Sequence, residues 1–359
     1  MIKSLLLSCL LLLAGHEAKA EACTLVKIAE LHVTIENNRI LIPGEMAGHK
    51  VKFLFDTSYP ASLITANTAR SLGIPVRSFG QAEQTPQGVF VSREDVGLAN
   101  LHGFSLDGYE GSDDIEVGVF SPGDNFGGPD VLGVLGSDFW GGYDVEIDLQ
   151  HNLIKLFHAK GCDGHNLAYW GSDYNVIAPV QYGARTEVKI KLNGQNITAI
   201  IDSGSPHSTI TERAAHRLGL RQGDAKSLAA DVPQGTQPTD LLSLIRFAHG
   251  IGLYITPPPN ILADGLPGIE ERPLESSYWI GRFDRLQMDE EVIAPMSFRV
   301  VPTPPPVAPP VDTRIPYRLV EYDVLLGVDF LKAHRMLLAN SQGKMYFTYT
   351  GGTDFAKPN

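Results

Sequence analysis

Three cysteines in 359 residues are too few for a disulfide-built scaffold, so the fold must rest on a hydrophobic core. Basic residues are also in short supply, 29 Lys and Arg against 41 Asp and Glu, for a net charge of −12. An acidic chain with no basic run lacks the electrostatic footprint of a nucleic-acid binder, and no nucleic-acid partner is expected. No apolar stretch is long enough to span a bilayer. Long uninterrupted helical patterns are missing as well. The 36 glycines and 24 prolines cut the chain into short segments, which favours many strands and excludes collagen, coiled coil and helical solenoid. Gly-x-Ser-x-Gly, His-Glu-x-x-His, a phosphate loop and a dinucleotide fingerprint are all absent, and no cofactor is expected. The acidic cluster from Glu110 to Asp114 lacks the spacing of a calcium loop and reads as a solvated turn.

What is present begins with a targeting signal over residues 1–20. Lys3 supplies the positive charge, residues 5–14 form the apolar core, and Ala18-Lys19-Ala20 reads as a cleavage site. The protein is therefore expected to be exported, to a periplasm or out of the cell. Cys9 falls inside the signal, leaving Cys23 and Cys162. In an oxidising compartment one disulfide between them is the default expectation. His158, Cys162 and His165 offer a competing, metal-like spacing. A linker that happens to hold two histidines is the preferred reading of it, and no metal is assigned.

The strongest internal signal is a repeat at an offset of 146 positions. Phe53-Leu54-Phe55-Asp56-Thr57-Ser58 aligns with Ala199-Ile200-Ile201-Asp202-Ser203-Gly204. The match runs on through Ser62-Leu63-Ile64-Thr65 and Ser208-Thr209-Ile210-Thr211 to Leu72-Gly73 and Leu218-Gly219. Each copy reads as a strand ending on Asp, a tight polar turn, a short strand, and an amphipathic helical turn closed by Leu-Gly. Pro86-Gln87-Gly88 and Pro233-Gln234-Gly235 follow as candidate hairpin tips. Val134-Leu135-Gly136-Ser137-Asp138-Phe139 and Leu325-Leu326-Gly327-Val328-Asp329-Phe330 close the copies. Asp138 and Asp329 are expected to cap the helices that begin there. The second copy is longer by about 45 residues, an insertion that includes the proline-rich stretch 302–310. Asn196-Ile197-Thr198 fits a glycosylation sequon but lies on the strand leading to Asp202.

A carboxylate that follows three apolar residues sits at the edge of a core. Read singly, Asp56 and Asp202 are ordinary strand-end turn residues. Read as a pair under pseudo-twofold symmetry, they face one another. Two facing carboxylates cannot both ionise cheaply, so they titrate as a unit holding one proton. Such a pair can activate a water and protonate a leaving group, chemistry suited to amide hydrolysis.

These residues resemble the aspartic proteases. Ile200-Ile201-Asp202-Ser203-Gly204 is similar to the family's active-site motif, and Leu325-Leu326-Gly327 to its second motif. The run from Leu325 to Leu331 resembles the retroviral-type, retropepsin-like branch. Only about ten residues separate Ala20 from the first expected strand, near Leu31, which leaves no room for the basic prosegment of pepsin-like enzymes. The resemblance implies a mostly β protein of two related pepsin/retropepsin-like β-barrel lobes with the active site between them. The lobes would span 21–160 and 186–359, joined by a linker over 161–185, and act as a monomer, an intramolecular pseudo-dimer. It implies an endopeptidase in which Asp56 and Asp202 hold the lytic water and Thr57, Ser58, Ser203 and Gly204 support the dyad. Gln87, Gly88, Gln234 and Gly235 would lie on flaps closing over an extended peptide or protein substrate. The first copy departs from the pattern, because Ser58 stands where the family carries Gly and Tyr59 follows where a small residue is expected. The alternative reading is therefore a catalytically weak or inactive pseudoprotease, an exported module that binds peptides or proteins.

Overall fold

Short strands form where the sequence alternates apolar and polar residues between residues able to turn. In Met296–Val301, Met296, Phe298 and Val300 point inward while the intervening side chains are half-exposed, the period of two that a strand imposes. Gln195–Ile201 pairs with Arg185–Leu192 through the two-residue loop Asn193-Gly194, whose positive φ angles of 50° and 81° favour these two residue types. The computed structural model describes residues 22–46, 48–59, 61–78, 97–110, 114–120, 130–182, 185–224, 226–228, 278–303 and 322–352. The signal segment 1–20, the tips at Gln87-Gly88 and Gln234-Gly235, and nearly all of the proline-rich stretch lie outside the described residues.

Two ten-stranded sheets follow the same order of strands. In the first, Asp114–Phe120, Leu63–Thr65, Val131–Leu135, His49–Phe55 and Arg39–Met46 lie side by side. In the second the corresponding run is Met296–Val301, Thr209–Thr211, Val324–Leu326, Gln195–Ile201 and Arg185–Leu192. Both mix parallel and antiparallel pairing at the same places. His49–Phe55 runs parallel to Val131–Leu135, and Gln195–Ile201 runs parallel to Val324–Leu326. Each short second strand leads into a six-residue helix, Ala66–Ser71 or Glu212–Arg217. Thr65 and Thr211 cap these helices by accepting from the N–H groups of Thr68 and Ala214. The Leu-Gly pairs end them, with Gly73 and Gly219 at the left-handed angles that release the chain from the helix.

A third, six-stranded sheet joins the two halves. Its order is Thr24–His32, Leu153–Lys160, Asp144–Asp148, His334–Ala339, Lys344–Tyr349 and Asn175–Ile177. The segment 161–185, expected as a linker, is built into the fold. Asn175–Ile177 extends the central sheet, and Val180–Tyr182 pairs with Arg185–Leu192. Leu167 and Ala168 are buried beside Leu337 and Tyr346, so apolar side chains fasten a stretch whose Gly, Asp and Asn content suggested a loop. Cys23 and Cys162 form a disulfide, tying the start of the first strand to the turn after Leu153–Lys160. Cys162 thus has no thiolate to offer a metal, and His158 stacks on Tyr143.

Charge also crosses the joint. Glu146, completely buried in the first half's strand, accepts from Arg335 Nε at 3.0 Å and Nη2 at 2.8 Å in the second half's strand. Lys155 Nζ at 3.1 Å and the Tyr169 hydroxyl complete its shell. The guanidinium lies over the rings of Tyr169 and Trp170. A buried carboxylate stripped of a partner is costly. Arg335→Leu is expected to destabilise the fold by about 3 kcal/mol, read as a lower urea midpoint. The double variant Glu146→Leu/Arg335→Leu should recover much of that loss. Equal midpoints for wild type and Arg335→Leu would show that the pair does not hold the halves together.

Candidate active site

Each aspartate follows the last residue of a central strand, and its N–H bonds across to the neighbouring parallel strand. Asp56 N–H donates to Leu135 O at 3.1 Å and Asp202 N–H to Leu326 O at 2.9 Å. Behind each turn the glycine of the second motif makes a close approach. A Cβ on Gly136 would lie 2.7 Å from Ala61 backbone, and one on Gly327 would lie 2.7 Å from Ser205 O. The carbonyls of Tyr59 and Ser205 in turn accept from the N–H groups of Ser137 and Val328, satisfying first-turn donors of the two short helices.

Asp138 and Asp329 do not cap those helices. Gly136 and Gly327 are the capping residues, without side-chain bonds. Asp138 instead accepts from Ser62 N–H at 2.8 Å and Ser62 Oγ at 2.7 Å, while Ser62 Oγ accepts from Gly136 N–H at 3.0 Å. Ser208 and Asp329 repeat this arrangement with Gly327. The aspartates lie one residue inside the helix, too late to act as caps, but opposite a serine that needs an acceptor. Both pairs clamp an aspartate turn to the glycine behind it. Ser62 and Ser208 were not singled out from sequence, although their shared 146-residue offset carried the signal.

The turns of the two halves interlock through hydroxyls. Thr57 Oγ1 accepts from Ser203 N–H at 3.2 Å and donates to Ile201 O at 3.1 Å. Ser203 Oγ accepts from Thr57 N–H at 2.9 Å and donates to Phe55 O at 3.0 Å. All six groups belong to buried residues, so each bond is made away from competing water.

This grip sets Asp56 and Asp202 together, each 7% exposed. Their hydrogen bonding is unequal. Asp202 Oδ1 accepts from Gly204 N–H at 3.0 Å and Ser58 Oγ at 2.8 Å, and its Oδ2 accepts from Ser205 Oγ at 2.7 Å. Asp56 Oδ1 accepts from the N–H groups of Ser58 at 2.8 Å and Tyr59 at 2.9 Å. Tyr59 stands at the position equivalent to Ser205 and serves its aspartate through the backbone. Ser58 Oγ also lies 3.0 Å from Asp56 Oδ1, so one hydroxyl spans both carboxyl groups. A Cβ on Gly204 would overlap the Asp56 carboxyl, and only glycine fits there. Burial, and then the neighbouring Asp202, push Asp56 up from 3.8 to about 7, partly offset by the Ser58 and Tyr59 bonds. Burial in this site therefore favours the protonated form of Asp56.

Residues 188–250, which contain Asp202, Ser203 and Gly204, match the family model described as aspartyl protease. No curated protein matches the chain. Among solved structures it is similar to the crystal structure of a retropepsin-like aspartic protease from Rickettsia conorii. That likeness has 17% identity and a TM-score of 0.26, and covers 38% of this chain and 95% of the other.

The raised Asp56 carboxyl has a consequence for stability. The folded protein holds this proton more tightly than the unfolded chain, so unfolding releases it. The contribution is fully present below about pH 4 and is lost as the pH rises towards about 7. Asp56→Asn is expected to melt higher than wild type at pH 7, with the gap closing towards pH 4. A gap independent of pH, followed by thermal unfolding, would contradict the assignment of the proton to Asp56.

Proposed function

We propose that this protein is an exported aspartic endopeptidase with two lobes descended from one duplicated unit. Its single active site would use Asp56 and Asp202 together. The observation that carries the reading is the buried carboxyl pair spanned by Ser58 Oγ and held by reciprocal hydroxyl bonds at matching strand ends. The matching strand orders of the two sheets support the duplication, and the Cys23–Cys162 disulfide supports export.

In this mechanism charged Asp202 takes a proton from water as the water oxygen bonds to the peptide carbonyl carbon. Asp56 gives its proton to the carbonyl oxygen, forming a tetrahedral diol. As the C–N bond breaks, Asp202 returns its proton to the leaving nitrogen and a diol hydroxyl returns one to Asp56. Both carboxyls end in their starting states without a covalent intermediate. The substrate would lie as an extended strand, recognised through its backbone and alternate side chains. Closure by hairpins at Gln87-Gly88 and Gln234-Gly235 belongs to the same proposal. Ser58, with Tyr59 after it, favours the second reading, a peptide-binding protein with little or no catalysis.

Asp202→Asn is expected to lower cleavage of an unfolded protein substrate at least about 100-fold, with little change in thermal unfolding. Cleavage by the wild type should fall as the pH rises through about 7, where Asp56 gives up its proton. Undiminished cleavage by Asp202→Asn would refute the dyad. Cleavage by neither protein at any pH from acidic to neutral would favour the binding module.

A further inference from the structure

The alternation that seats each aspartate also carries a row of side chains beside it. Every second side chain of a strand shares a face, so Leu54 lies on the face of Asp56 and Ile200 on that of Asp202. Residues paired directly across strands share that face as well. In the first half the row reads Leu41, Leu54, Val134, Leu63 and Gly118. In the second it reads Glu187, Ile200, Leu325, Thr209 and Arg299. Intervening residues such as Phe53, Phe55, Phe298 and Val300 belong to the main core, so both rows point away from it. Leu41, Leu54 and Val134 join a separate apolar cluster on which Tyr59 packs, and Tyr59 N–H donates to Asp56. That face therefore lies beside the carboxyl pair.

The two rows differ most at their ends, where Glu187 replaces Leu41 and Arg299 replaces Gly118. Glu187 is buried, and its charge is met by Lys189 Nζ at 2.9 Å. Arg299 is half-buried and, among the described residues, has no carboxylate within ion-pair distance. Its guanidinium lies over the Tyr278 ring, 4.6 Å from the centroid, a contact that steadies the planar group without using its N–H donors. Burial, and then the charges of Arg299 and Lys332, push His207 down from 6.5 to about 4. His207 stands five residues after Asp202, so the Arg299 charge is felt at the Asp202 turn.

We propose that Arg299 is a specificity-determining residue that pairs with an acidic side chain of the bound peptide. This deepens the peptidase reading above and rests on it. Three strand spacings of about 4.8 Å put the Arg299 backbone about 14 Å from that of Ile200, a gap the long side chain shortens. A peptide held as an extended strand advances about 3.3 Å per residue. The side chain that Arg299 meets therefore lies within about four residues of the scissile bond. The guanidinium fork matches a carboxylate through two parallel N–H bonds. A basic side chain in the same place would meet a like charge and be rejected.

The test starts from a peptide containing a site that wild type cleaves in an unfolded protein. Glu, Gln or Lys is placed at one position at a time, up to about four residues either side of the scissile bond. Cleavage is measured at about pH 6, where the glutamate is charged. At one position the Glu peptide is expected to exceed the Gln peptide at least about fivefold in kcat/KM, with Lys the poorest. Arg299→Gln should abolish that ratio, and Arg299→Glu should reverse the order in favour of Lys. A merely structural loss would lower all three peptides together and leave their order unchanged. Arg299→Gln decides alone if the charge reversal does not fold. No preference for Glu at any of these positions, or a preference that survives in the Arg299 variants, overturns the role of Arg299 and leaves the peptidase reading standing. Failure of wild type to cleave any unfolded protein overturns that reading, and the role of Arg299 with it.

Discussion

The crossed hydroxyl bonds of Thr57 and Ser203 are the interaction on which the rest of the site depends. Each side chain accepts from the opposite turn's N–H and donates to the opposite strand's carbonyl, so neither turn is complete by itself. A shift that parted the turns without admitting water would leave six buried polar groups unpaired, a penalty that fixes their spacing closely. The carboxyls at Asp56 and Asp202 inherit that spacing because each precedes a gripping residue. Behind them, Ser62 with Asp138 and Ser208 with Asp329 hold the turns onto Gly136 and Gly327. A rigid frame on both sides is what allows two carboxyls to be kept together against their repulsion.

Within this near-symmetric frame the two aspartates are unequal. Ser205 against Tyr59 and Gly204 against Ser58 are the differences that matter. They give Asp202 hydroxyl donors on both oxygens and direct backbone N–H groups to one oxygen of Asp56. Burial raises the Asp56 carboxyl, which favours its protonated form. The acid and base roles in the proposed mechanism thus come from two substitutions at repeated positions, with no added group.

The six-stranded sheet has a different task. It joins the halves at their base through the pairing of Asp144–Asp148 with His334–Ala339, and through Glu146 with Arg335. The segment that connects the halves in sequence also strengthens this base, with Leu167 and Ala168 buried and Asn175–Ile177 at the sheet edge. Separation of the halves would therefore cost backbone pairing, apolar contact and a desolvated ion pair together.

Much of this was legible in the chain. Alternating apolar residues, the Asn193-Gly194 turn and the 146-residue offset specify short strands, a hairpin and two like units. Three apolar residues before each aspartate place it at the edge of a core, and Thr65 and Thr211 announce the helix starts. The repeat also carried Ser62, Ser208, Asp138 and Asp329, but their partnership is invisible in sequence. Serine and aspartate stand 76 positions apart in one copy and 121 in the other. A helix-start aspartate looks like a cap until the fold brings a serine to it. The anchoring of 161–185 through Leu167 and Ala168 was hidden for a similar reason, since a polar composition masks a few apolar anchors. The sequence alone determined that two like strand-turn units each end on an aspartate, and that Ser58 stands where its counterpart is Gly204. Only the tertiary structure decided that these turns interlock, that burial raises the Asp56 carboxyl, and that the Ser58 hydroxyl lies within hydrogen-bond distance of both carboxyls. Those outcomes depend on distances and on exclusion of water across residues far apart in the chain, which no local pattern encodes.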